Sequence, residues 1–144
     1  CCLGACYAMG EGVQVDHAQA LRWTRAAAEQ GDAAGQSYLG VYFQAGMGGQ
    51  EDHAQAVRWY RAAAEQGLAG AQYALASLLA HPMGVLTHTE SHPEAMRWCR
   101  AAVDQGHHAA FALHARLLLV LPHAGADEAR EAAELLCRAH ELDA

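Results

Sequence analysis

The stretch DHAQALRWTRAAAEQG, Asp16 to Gly31, decides how the rest of the chain is read. It returns at an offset of 36 as DHAQAVRWYRAAAEQG, Asp52 to Gly67, with 14 of its 16 positions identical. A third copy, SHPEAMRWCRAAVDQG, Ser91 to Gly106, keeps 9 of the 16. Self-similarity at such a period is the mark of a stacked repeat, in which each unit buries its apolar face only against its neighbours.

Each copy reads as one helix of about four turns. Asp16, Asp52 and Ser91 are N-cap residues, whose side-chain oxygens accept from the free backbone N–H groups of the first turn. Ala20, Trp23 and Ala27 fall at i, i+3 and i+7 and form the expected buried face, with Arg22 and Arg25 beside it in solvent. Gly31, Gly67 and Gly106 close the copies and supply the left-handed residue that ends a helix. We call this the B helix.

A second apolar pattern lies between the B helices. Ala33 to Ala45 and Ala69 to Ala80 contain no proline and read as A helices. Leu39, Gly40 and Phe43 match Leu3, Gly4 and Tyr7 upstream and Leu75, Ala76 and Leu79 downstream. The small residue at Gly4, Gly40 and Ala76 lets a neighbouring helix approach closely. Glycines or proline break the chain between A and B helices: Gly10 and Gly12, Gly46 and Gly48, Pro82 and Gly84. The third unit has three additional residues here, expected as a longer loop around Leu86 to Glu90. After Gly106 the pattern decays. His107 to Leu121 reads as a fourth A helix, Pro122 to Ala126 as a turn, and Asp127 to Leu142 as a fourth B helix with Ala132, Leu135 and Ala139 on its inner face. The chain thus reads as one domain, residues 1–144, of about four units (1–31, 32–67, 68–106 and 107–144). The first unit is truncated at Cys1, and the chain reads as a fragment or processed product.

The hydrophobic fraction is 53% while aromatic residues are only 7%, which suits alanine-rich helix packing better than sheets. The formal charge of −7 argues against a nucleic-acid partner, because phosphate binding needs a basic surface. No run of 18 apolar residues is present, so no membrane span is expected.

Taken together, Leu3-Gly4-Ala5-Cys6-Tyr7, Gly10-Glu11-Gly12-Val13 and Asp16 through Gly31 spell LGxxY, GxGV and DxxxAxxWxxxAAxxG. This resembles the Sel-one-like repeat, a relative of the tetratricopeptide repeat. The resemblance is strong in the first two units, clear in the B helix of the third and weak in the fourth. It implies an all-α, right-handed α/α superhelical solenoid of about four helix-turn-helix repeats, with A helices lining a concave surface and B helices outside. It also implies an adaptor role. Some secreted bacterial members carry a disulfide within each helix pair, a pattern this chain lacks.

Five cysteines, Cys1, Cys2, Cys6, Cys99 and Cys137, have no repeat-matched pairing, so a disulfide framework is not expected and a reducing compartment is favoured. A periplasmic or secreted location stays open, since the N-terminus reads as incomplete. Cys2 and Cys6, four apart, have the spacing of metal co-ligands and equally that of small packing residues. His17, His53 and His92 repeat just after each cap. Spaced by about one helix-packing distance, roughly 10 Å, they are too far apart to share a zinc with bonds of about 2 Å. His88 and His92, with His81 or Glu90, are the only other grouping for an adventitious metal. No metal, cofactor or catalytic residue is assigned, and no HExxH, GxSxG or P-loop motif occurs.

The candidate site is a groove on the A helices. Cys2 and Cys6, Tyr38 and Tyr42, Ala74 and Leu78, and Leu113 and Leu117 are i, i+4 pairs that stacking would align. Val41, Tyr73, Ser77 and Arg116 adjoin them. Some of these residues would instead pack between neighbouring A helices. The expected function is a non-enzymatic module binding a peptide or partner protein in this groove, with self-association through the open N-terminal face at Cys1 to Tyr7 as a further possibility. The alternative, kept open by secreted relatives, is recognition or hydrolysis of a cell-wall or β-lactam ligand.

Overall fold

A computed structural model describes residues 17–47, 51–80, 88–120 and 126–142. They form seven helices: α1 (His17–Glu29), α2 (Ala33–Gln44), α3 (His53–Glu65), α4 (Ala69–Ala80), α5 (His88–Asp104), α6 (His108–Val120) and α7 (Ala126–Leu142). No strand occurs among the described residues. Odd-numbered helices are B helices and even-numbered ones A helices. The expected caps at Asp16, the glycines Gly10, Gly12, Gly48 and Gly84, and the turn at Pro122 lie outside the described residues.

Helix boundaries follow from cap chemistry. The Asp52 carboxylate accepts from the Gln55 N–H at 2.9 Å, as its position predicts. Asp32, which the repeat pattern did not single out, does the same for α2, accepting from the Gly35 N–H at 2.8 Å. At the other ends, Gly31, Gly67 and Gly106 have φ of 85, 88 and 75°. Each donates its N–H to a carbonyl three residues back: Ala28, Ala64 and Val103 respectively. The next residue donates to the carbonyl five back, as Asp32 does to Ala27 at 3.1 Å and His107 to Ala102 at 3.0 Å. This is the Schellman closure, in which the left-handed glycine satisfies the last carbonyls of the helix. It is built the same way three times.

Two expectations are corrected. Ser91 does not cap α5: the helix already runs from His88, so part of the inserted segment is helical rather than loop. No glycine or proline interrupts residues 88–92, and Pro93 removes one donor inside the helix without stopping it. The second correction concerns the buried face of the B helices. It is Ala20, Thr24 and Ala28 in α1, Ala56, Tyr60, Ala63 and Ala64 in α3, and Ala95, Cys99 and Ala102 in α5. The tryptophans sit one residue to the side: Trp23 is 43% exposed, and Trp59 and Trp98 are half-buried. Trp98 lies along the surface, its Nε1 donating to Glu94 Oε1 at 3.3 Å and the Arg97 guanidinium 4.9 Å from its ring centre.

The chain divides into two compact units, Cys1–Ala71 and Gln72–Ala144, with the boundary inside α4. In the first, α2 packs against α1 and α3. Tyr60, 2% exposed, lies against Gly40, where an added Cβ would stand 2.8 Å from its ring. The small A-helix residue is therefore required by the ring opposite it. The Tyr60 hydroxyl donates to Gln44 Oε1 at 2.9 Å, and burial pushes its pKa up to about 12. In the second unit α6 packs against α5 and α7, around Phe111, Ala115, Leu118, Ala132 and Leu135.

A polar link recurs inside the units. Gln66 Nε2 donates to Gln36 Oε1 at 2.8 Å, and the buried Gln36 passes its own Nε2 to the Ala28 carbonyl at 3.3 Å, so one amide ties α2 to both flanking helices. In the second unit Gln105 donates to the buried Gln72, also at 2.8 Å. The residue in register with Gln36 and Gln72 in the last A helix is Phe111, and there an apolar cluster replaces the link.

Candidate functional site

The A helices distribute the candidate residues between packing and surface. On α2, Tyr38 and Val41 are each 44% exposed while Tyr42 is buried, with its hydroxyl unpartnered and its pKa raised by burial. On α4, Tyr73, Ala74 and Ser77 are half-buried and Leu78 is buried. On α6, Leu113 and Leu117 are buried and Arg116 is exposed. Cys2 and Cys6 lie outside the described residues, as does the N-terminal face. In Tyr38–Tyr42 and Ala74–Leu78 the second member lies deeper, whereas Leu113 and Leu117 are both buried, because residues four apart share a stripe but not a depth.

In the second unit α4 and α6 flank a groove of about 290 Å³, lined by Tyr73, Ser77, Ala80, Ala109, Ala112, Leu113 and Arg116. Alanines make its walls low. Tyr73 stacks on the His107 ring, with centroids 4.9 Å apart and planes 22° from parallel, which fixes the phenol at one end. His107 itself has a buried, unpartnered Nδ1. Its pKa is lowered by burial and by His108, against a backbone hydrogen bond that raises it. The groove thus offers a phenol, a hydroxyl and a guanidinium above a small apolar floor, which suits a peptide segment with one apolar and one polar edge.

The remaining chemistry-bearing residues do not converge. The repeated histidines do not simply face solvent: His53 and His92 are half-buried, and each keeps a buried ring nitrogen without a partner. His53 Nε2 is 3.9 Å from Glu51. The His81, His88 and Glu90 grouping lies outside the described side chains. Cys99 is buried and forms no disulfide. It donates from Sγ to the Ala110 carbonyl at 3.3 Å, and burial pushes its pKa up to about 12, so it packs α5 on α6 rather than reacting. Sequence reasoning missed His114. It is 3% exposed with an unpartnered Nδ1, and the decay of the fourth unit hid its register.

Packed helix pairs, repeated with matching Schellman closures and matching glutamine links, define an all-α helical repeat protein. The chain belongs to the Sel1 repeat family, whose model matches residues 3–32, 33–68 and 69–107. Among solved structures, one similar protein is a protective antigen present in uropathogenic Escherichia coli strains and displaying an SLR fold. It is 28% identical with a TM-score of 0.88, over 97% of this chain and 29% of that one. A Sel1 repeat protein from Oxalobacter formigenes is 30% identical with a TM-score of 0.86, over 98% of this chain and 55% of that one. The chain therefore spans about a third and about half of these two relatives. No curated protein matches the sequence. The Sel1 repeat fold generally mediates protein–protein interaction, and its members are generally non-catalytic scaffolds. No helix among the described residues is long and apolar enough to cross a membrane.

Proposed function

We propose that this chain is an adaptor module that binds an extended or helical segment of a partner protein on its A helices. The observation that carries the reading is the groove between α4 and α6, where Tyr73, Ser77 and Arg116 rise from a floor of alanines and Leu113. The exposed Tyr38 and Val41 are the corresponding surface on α2 of the first unit. Tyrosine and arginine supply large contact area and directed hydrogen bonds, which is why they recur as interface anchors. Within each unit buried residues pack beneath these surfaces: Tyr42 in the first, and Leu78, Leu113 and Leu117 in the second, where Ala74 is half-buried on α4.

The division of roles makes the reading testable. Truncating Tyr73 and Arg116 together to alanine removes two groove anchors that are not core residues. Captured partner should fall by at least about tenfold, the equivalent of about 1.4 kcal/mol, while the melting temperature moves little. Undiminished capture by the double variant would reject the groove. Titration with a penicillin-type ligand addresses the cell-wall alternative, and neither binding nor turnover is expected.

A further inference from the structure

His114 stands where the repeat places a leucine. Leu39 follows the closing glycine Gly31 by eight residues, Leu75 follows Gly67 by eight, and His114 follows Gly106 by eight. All three positions are interior, with exposures of 0, 0 and 3%. A leucine contributes only apolar contact there. An imidazole brings two nitrogens, and Nδ1 of His114 is buried with no hydrogen-bond partner, an arrangement that proteins normally avoid.

The surroundings are charged. Arg100 and Asp104 from α5, and Glu131, Glu134 and Arg138 from α7, all exposed, line with Val103 and the buried His114 and Leu135 a pocket of about 200 Å³. From α4 the one titratable residue is Tyr73, and its ring stacks on His107. At the N-terminal end of α6 stand His108 and, just before the helix, His107, and Arg116 on α6 is exposed. The pocket holds no group of three potential ligands that could take a metal ion.

We propose that His114 is an acid-sensitive latch on the last helix pair: neutral, it lets α6 pack between α5 and α7, and its protonation loosens that packing. The imidazolium would add charge to a side chain only 3% exposed, whose Nδ1 has no hydrogen-bond partner in the packed fold. Burial holds the His114 pKa below its usual 6.5; Glu131 and Asp104 pull it back up and Arg100 pushes it further down. The sign follows from linkage. With the folded pKa lowered, the unfolded chain binds the proton more readily, so the stabilisation is complete above about pH 6.5 and is lost as pH falls towards the folded value. The same helix carries Ala109, Ala112, Leu113 and Arg116 to the α4–α6 groove, so acid that loosens α6 also weakens the groove. That last consequence rests on the adaptor reading; the latch itself does not.

Hydrogen exchange of the whole chain, corrected for intrinsic rates, tests the latch directly at about pH 7.5 and about pH 5, on either side of the histidine range. The wild-type protein should lose protection across α6 and α7 on acidification, while α1 to α3 change little. His114→Leu, which restores the repeat residue, should keep its protection at both values. His114→Gln should also lose the acid step, since it cannot titrate, and it separates the proton from the apolar gain of leucine. An equal acid-induced loss in wild type and both variants would overturn the proposal and assign the effect to other groups such as His107. So would a wild-type protein with no acid-induced loss, or an imidazole of His114 that titrates at or above 6.5 by NMR. Partner binding plays no part in these readings, so failure of the groove and failure of the latch are told apart.

Discussion

Tyr60 carries more of the first unit's stability than the tryptophans that dominate its sequence. Its ring is almost wholly enclosed, it occupies the space that Gly40 leaves open, and its hydroxyl is satisfied by Gln44. Truncation to alanine should cost about 3–5 kcal/mol, the range for large buried aromatics. Trp23→Ala should cost less than that, because 43% of the residue is already in water. Urea unfolding of the two variants checks the ranking, and equal losses would mean that the tryptophan face is the buried one. The tryptophan misassignment has a physical origin. Trp23–Thr24, Trp59–Tyr60 and Trp98–Cys99 are adjacent pairs, 100° apart on a helix. The alanine run at 26–28 fits either face, so periodicity alone does not choose between them. Tryptophan is the more repeated member and draws the eye, whereas the smaller partner is the one that packs.

At the scale of the element, caps were the most legible feature. A carboxylate before an apolar period and a glycine after it have one physical meaning each, and Asp52, Gly31, Gly67 and Gly106 carry it out. Gly67 shows how specific that meaning is. An added Cβ would meet nothing within 4 Å, so the only cost of Gly67→Ala is the left-handed backbone, about 1–2 kcal/mol. Gly70, three residues on and inside α4, also has open space around it. There alanine should instead stabilise by up to about 1 kcal/mol, since the backbone is already helical. Thermal melts of the two variants should move in opposite directions; a shared direction would show that the closing conformation is not what the glycine supplies. The start of α5 was less legible. An insertion of three residues reads as loop on repeat logic, but nothing in residues 88–92 forbids another turn of helix.

At the scale of the whole molecule, the repeat and its family were readable because near-identical stretches recur in register. The candidate surface was readable only in part. The helices proposed to carry it follow from the pattern, but depth does not: Tyr38 and Tyr42 look alike in sequence, and only packing separates the exposed one from the buried one. His114 was hidden for the opposite reason, because its unit had drifted too far for the register to be seen without the closing glycine as a reference. The proposed function assigns the frame to the B helices and recognition to the A helices. Site-directed photo-crosslinking tests that separation most directly, with the crosslinker placed either at Ser77 in the groove or at the exposed Arg58 on α3. The account predicts one discrete partner adduct from position 77 and none from position 58. Adducts of equal yield from both positions, or from position 58 alone, would contradict it.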